Sequence, residues 1–63
     1  MNIQEKMIEI LERVDSSEIK IGLLSDNCFL CTLVIDGIEE FSKIDESLDE
    51  ALKMLLSETD RRY

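Results

Sequence analysis

Two cysteines, Cys28 and Cys31, stand three residues apart in an apolar run, and Cys-x-x-Cys is a spacing used by redox and metal sites. Such a site needs both sulfurs on one side of the backbone. Here the run from Cys28 to Ile35 reads as a strand, and residues an odd number apart on a strand project from opposite faces. In that geometry the two thiols can neither share a metal nor close an unstrained disulfide. They read as two small hydrophobes, with a site shared between copies as the other option. The chain has no His, which removes the usual general base, the commonest metal ligand and the pH switch near neutrality. Asp45-Glu46-Ser47-Leu48-Asp49 has the opening of a calcium loop, but that loop needs Gly at its sixth position and a bidentate Glu at its twelfth. Glu50 and Leu56 stand there. With no phosphate-cradling Gly-rich loop and no nucleophile elbow, the chain reads as a non-enzyme with no cofactor and no metal.

What remains is charge. Fifteen acidic residues face seven basic ones, for a net charge of −8. The densest stretch holds Asp36, Glu39, Glu40, Asp45, Glu46, Asp49 and Glu50 against Lys43 alone. Asp45, Glu46, Asp49 and Glu50 surround an expected helix N-terminus, where the dipole favours carboxylates, and Asp36 belongs to a turn. Glu39 and Glu40 have neither explanation. The segment is therefore either a solvated face or a surface that imitates the phosphates of a nucleic acid, with Asp36, Glu39, Glu40, Asp45 and Glu46 as the contact residues. The charge repels phosphate, so no direct nucleic-acid partner and no anionic membrane is expected, and a basic protein is favoured.

The elements that must position these residues follow from hydrophobic period. Ile3, Met7, Ile10, Leu11 and Val14 recur at three- and four-residue steps behind a capping Asn2, which predicts a helix over 3–15. Ile19, Ile21 and Leu23 alternate with Glu18, Lys20 and Gly22 as a half-buried strand, and Ser25-Asp26-Asn27 forms its turn. Cys28 to Ile35 is apolar on both faces, as a central strand is. Asp36-Gly37 signals a hairpin leading into a third strand over 38–44. Ile38 and Phe41 have opposite parity there, so the register is open and a bulge or a three-residue loop is expected. Ser47-x-x-Glu50 reads as a capping box for a helix over 46–60 with Leu48, Ala51, Leu52, Leu55 and Leu56 inward and Arg61 and Arg62 beyond it.

These 63 residues allow one domain over 1–63 with a thin core, since such a chain buries only about 60% of its unfolded surface. The expected fold class is α+β, in the order α-β-β-β-α, with two helices on one face of a three-stranded antiparallel sheet. The face of Ile19, Ile21, Leu23, Phe29, Cys31 and Leu33 is the expected core. The other face carries Lys20, Leu24, Leu30, Thr32 and Val34, and its aliphatics Leu24, Leu30 and Val34 are candidates for a partner surface or a homodimer. There is no charged-then-apolar leader and no apolar run near ~18 residues, so the chain reads as cytoplasmic.

The element order and the run Phe29-Leu30-Cys31-Thr32-Leu33-Val34-Ile35-Asp36-Gly37, with Ser42-Lys43 before an Ala/Leu-rich last helix, resemble a double-stranded-RNA-binding domain. Where that family has a lysine cluster, Lys43 stands alone and Asp45, Glu46, Asp49 and Glu50 follow. A second resemblance is to small acidic phage-encoded anti-CRISPR proteins that inhibit Cas9. It rests on Met1-Asn2-Ile3, Ile19-Lys20-Ile21, Leu33-Val34-Ile35-Asp36-Gly37 and the stretch from Ser47 to Leu56. This second resemblance implies an inhibitor whose carboxylates occupy the nucleic-acid site of a CRISPR effector nuclease. The leading expectation is accordingly an acidic, non-enzymatic interaction module, with a small homodimeric scaffold joined through the open sheet face as the alternative.

Overall fold

A computed structural model describes residues 2–63, and Met1 lies outside them. The order is α1 (Ile3–Arg13), β1 (Ser17–Leu23), β2 (Phe29–Ile35), β3 (Ile38–Asp45) and α2 (Leu48–Arg62), in the α+β class expected. Asn2 caps α1 through a full capping box, its side chain accepting from the Glu5 N–H at 2.8 Å while Glu5 accepts from the Asn2 N–H at 3.1 Å. The helix stops short of 15 because Val14 is already extended and Ser16, at φ 58°, turns the chain into β1.

The sheet is antiparallel in the order β1-β2-β3, with β2 in the centre. Asp36 and Gly37 both have positive φ, 53° and 82°, the signature of a type I′ hairpin turn. Leu33 faces Phe41, but Val34 faces Glu39, so Glu40 is an extra residue in β3. This bulge settles the parity conflict between Ile38 and Phe41, placing both on the helix side beside Ile35 and Leu33. At the start of α2 only half of the expected capping box forms. Ser47 Oγ accepts from the Glu50 N–H at 3.3 Å, but the Ser47 N–H donates to Asp45 Oδ1 at 2.9 Å rather than to Glu50.

Both helices pack on one sheet face around Ile10, Val14, Cys31, Leu33, Ala51, Leu52 and Leu55. Thr59 is also fully buried, and its hydroxyl donates to the Leu55 carbonyl at 2.8 Å. The expected core face needs one correction. Cys31 and Leu33 are buried and Ile19 and Phe29 half-buried, but Ile21 is 42% and Leu23 66% exposed. The reason is where the helices sit. α2 lies across β2 and β3, and α1 packs mainly on α2, touching β1 least. Lys6 with Asp49 and Arg13 with Asp60 tie α1 to α2, so the far half of β1 has no helix above it.

On the opposite face the strands cover themselves. Lys20 pairs with Glu39 at 3.0 Å, and the Thr32 and Ser42 hydroxyls are hydrogen-bonded at 2.8 Å. Val34, between Glu18 and Glu39 in the ladder, is only 3% exposed. Leu24 and Leu30 are half-buried.

Candidate functional site

The five acidic residues expected to contact a partner all lie on β3 or its flanking turns, but at two ends of it. Asp36 is in the β2–β3 turn, Glu39 and Glu40 follow at the start of the strand, and Asp45 and Glu46 close it. From Glu40 to Asp45 the chain advances about 17 Å at ~3.4 Å per residue. Glu39 is committed to Lys20, and Asp45 is half-buried as an acceptor for the α2 cap. Asp36, Glu40 and Glu46 are exposed. Asp26, from the β1–β2 turn, joins Asp45 and Glu46 at their end, where all three act on the Cys28 thiol.

Six of the seven cations are paired with other carboxylates, Lys53 being the exception among the described residues. Lys6, Arg13, Lys20, Lys43, Arg61 and Arg62 each sit within 4.0 Å of a carboxylate of the same chain. Their partners are Glu9, Glu39, Asp49, Glu58 and Asp60. Among the described residues, ten carboxylates have no cation at that distance: Glu5, Glu12, Asp15 and Glu18 on the α1–β1 side, Glu50 on α2, and Asp26, Asp36, Glu40, Asp45 and Glu46 along β3 and the turns at its two ends. The last five are the denser group, with Arg62 acting on Glu40 from beyond ion-pair distance.

The cysteines do not form a site. β2 begins at Phe29, so Cys28 belongs to the preceding loop rather than to the strand, and its N–H donates to Asp26 Oδ1 at 3.2 Å. Cys31 is in the core, and both thiols are free. Burial raises the Cys31 thiol pKa; burial, then Asp26, Glu46 and Asp45, raise that of Cys28. Neither is a ready thiolate at neutral pH. Among the described residues no three His, Cys, Asp or Glu side chains gather as a metal set.

Sequence reasoning missed a charge hub at Glu58. This carboxylate is buried at the C-terminal end of α2, within reach of Arg61, of Arg62 at 2.6 Å and of Lys43 on β3 at 3.5 Å. Hydrogen bonds from Arg62 and Arg61 lower its pKa to about 2. The Arg62 guanidinium also lies 4.6 Å from the Phe41 ring centroid, a cation–π contact. The i, i+3 and i, i+4 spacing of Glu58 with Arg61 and Arg62 was the available signal; the link to Lys43 is tertiary and leaves no local trace. Beside the hub, Lys43, Glu50, Lys53, Met54, Ser57 and Arg61 line an open, mixed-charge groove of about 420 Å³.

A second surface was also missed. Ile8 and Leu11 on α1 are 46% and 38% exposed, and Ile21 and Leu23 on β1, the strand that α1 touches, are 42% and 66% exposed. At about 100° per residue, Leu11 and Ile8 fall on the flank of α1 opposite Lys6 and Arg13, the residues that reach α2. That flank looks toward the free edge of β1.

No helix among the described residues is long and apolar enough to cross a membrane. No protein-family model, curated protein or solved structure matches the chain.

Proposed function

We propose that this chain is a non-enzymatic, acidic interaction module of the cytoplasm that presents the β3 edge to a basic surface of a nucleic-acid-handling protein and competes there with nucleic acid. One observation carries this reading. Six of the chain's seven cations are held in internal ion pairs, while Asp26, Asp36, Glu40, Asp45 and Glu46, half of the carboxylates with no cation within 4.0 Å, lie along β3 and in the turns at its two ends. Such a group of carboxylates steers a basic partner and pairs with its Lys and Arg. The resemblance to anti-CRISPR proteins makes a CRISPR effector nuclease the first partner to try.

Glu40 and Glu46 are the informative pair, since both are exposed and neither holds an ion pair or a cap. Changing both to Lys is expected to weaken binding to a purified effector nuclease about tenfold or more. Thermal stability should move by no more than ~0.5 kcal/mol, and wild-type binding should weaken steeply as salt is added. Equal binding by the variant, or binding indifferent to salt, would sink the reading. Micromolar binding of wild type to duplex RNA or DNA in a gel shift would replace it with direct nucleic-acid recognition.

A further inference from the structure

We infer that the β1 edge and the outer flank of α1 form a second interaction surface, and that its occupant is a second copy of this chain, related by a two-fold axis through Ile21. The surface lies on the opposite side of the sheet from the acidic β3 edge, and the inference does not depend on what that edge binds.

The backbone supplies the first argument. The Leu24 N–H donates to the Cys28 carbonyl and the Asp36 N–H to the Ser16 carbonyl. Hydrogen bonding alternates along an antiparallel pair, so the even-numbered residues of β1 are the ones turned toward β2. The N–H and C=O groups of Ser17, Ile19, Ile21 and Leu23 then point outward along a free edge. That edge is straight: the β1–β2 register runs without a shift from Ser17 to Leu23. It has no Pro, and its outward-directed positions carry no charge.

Side chains select the register. Pairing β1 with itself so that Lys20 faces Lys20 sets like charges opposite and is disfavoured. Setting Ile19 opposite Ile19 leaves Leu23 beyond the ladder. Setting Ile21 opposite Ile21 places Ile19 opposite Leu23 and Lys20 opposite Gly22. All three aliphatics of β1 then gain apolar partners, and no like charges meet directly. On the helix side of the resulting six-stranded sheet, the two α1 flanks face each other over the axis. Ile8 and Leu11 of each copy close over the Ile21 pair, with uncharged Gln4 beside them. A standard interface removes ~800 Å² from each partner, about a fifth of the 4078 Å² this chain exposes. Only the broadest side of a molecule measuring 32 × 26 × 18 Å spans that much, so a standard interface would engage the whole of one side and a smaller one would associate weakly.

Charge supplies the sign of the test. Each copy carries −8, so long-range repulsion opposes pairing and salt relieves it. Dimerisation should strengthen with added NaCl, whereas capture of a basic partner by the β3 edge weakens. Sedimentation of the full chain is expected to show a monomer–dimer equilibrium that shifts toward dimer with salt. Ile21→Lys, and separately Ile8→Glu with Leu11→Lys, should leave a folded monomer by circular dichroism. In a Cys28→Ser background, oxidised Ile21→Cys should form a covalent dimer, because residues facing each other at a hydrogen-bonded site have Cα atoms ~5.5 Å apart, within disulfide range. Ile19→Cys should not, its two copies lying about 13 Å apart in that register. A wild-type chain monomeric at ~1 mM would overturn the inference. So would a dimer that survives Ile21→Lys but is lost on Leu30→Lys, because the opposite sheet face would then be the interface. A folded Ile21→Cys chain that fails to cross-link would overturn the register.

Discussion

The β3 edge carries a bulge at Glu40, the carboxylates Glu39, Glu40 and Asp45 within the strand, and the fifteen-residue α2 packed across it. The β1 edge carries a straight ladder, one acid and one base, and an eleven-residue helix that leans away from it. Natural sheets guard their edges with bulges and charges, because a bare edge invites another strand. Here the guard stands on one side only. The contrast originates in helix placement. α2 reaches β3 through Lys43 and Phe41, which meet Glu58 and Arg62, while α1 spends its long cations Lys6 and Arg13 on α2. The covered edge can carry charge outward, and the uncovered edge keeps aliphatics with nothing over them.

The sharpest way to break this contrast within the fold is at Glu58. Glu58→Ala would leave Lys43, Arg61 and Arg62 clustered without their common carboxylate and should detach the end of α2 from β3. We expect the largest loss of thermal stability of the variants considered below. The pH dependence is specific. Glu58 has a folded pKa of about 2 against an ordinary 4.5, so its contribution is fully present above 4.5 and fades as pH falls toward 2. The Tm difference between wild type and Glu58→Ala should therefore be constant from neutral pH down to about 5 and shrink below it. A difference that ignores acid would mean that Glu58 fills space rather than holds charge.

The bulge can be tested by deletion. Removing Glu40 leaves the faces of Phe41 and Glu39 unchanged and lets β3 pair without interruption. Stability should change by about 1 kcal/mol or less, as for a surface change. Self-association through β3 should rise, detectable by sedimentation in an Ile21→Lys background where the β1 route is closed. If the deleted chain stays monomeric there, the carboxylates alone guard this edge.

The element order, both caps, the Asp36-Gly37 turn and the parity conflict behind the bulge were legible because each is local. A period of hydrophobicity or a turn dipeptide spans a few residues and needs no knowledge of the rest. What escaped notice depends on tertiary placement. Ile21 and Leu23 alternate as a core face should, and only the lean of α1 toward α2 uncovers them. Val34 sits on the face without helices, yet it is buried by the side chains of its own sheet. Glu39 looked unexplained because Lys20, which holds it, is nineteen residues away. The candidate acidic residues lie on one strand and its turns. That they occupy two ends of it follows from the length of an extended chain, which charge counting does not include.

The smallest effect separates the two edges at their glycines. Gly37 has φ +82° in the turn leading to β3, and Asp36 before it is also left-handed. An L-residue at Gly37 must take a conformation that costs about 1 kcal/mol, so Gly37→Ala should lower Tm by about 4–8 °C. Gly22, within β1, is different. A Cβ there would meet nothing within 4 Å, and its φ lies outside the left-handed region. Its missing side chain only adds freedom to the unfolded chain, so Gly22→Ala should gain about 0.5 kcal/mol, or about 2–4 °C. The gain should appear equally in the wild-type background and in Ile21→Lys, since it arises within one chain. If Gly22→Ala instead weakens the dimer without lowering the stability of the Ile21→Lys monomer, Gly22 is kept small by the second copy. Lys20 of that copy would then be the residue needing the space, as the Ile21-centred register places it.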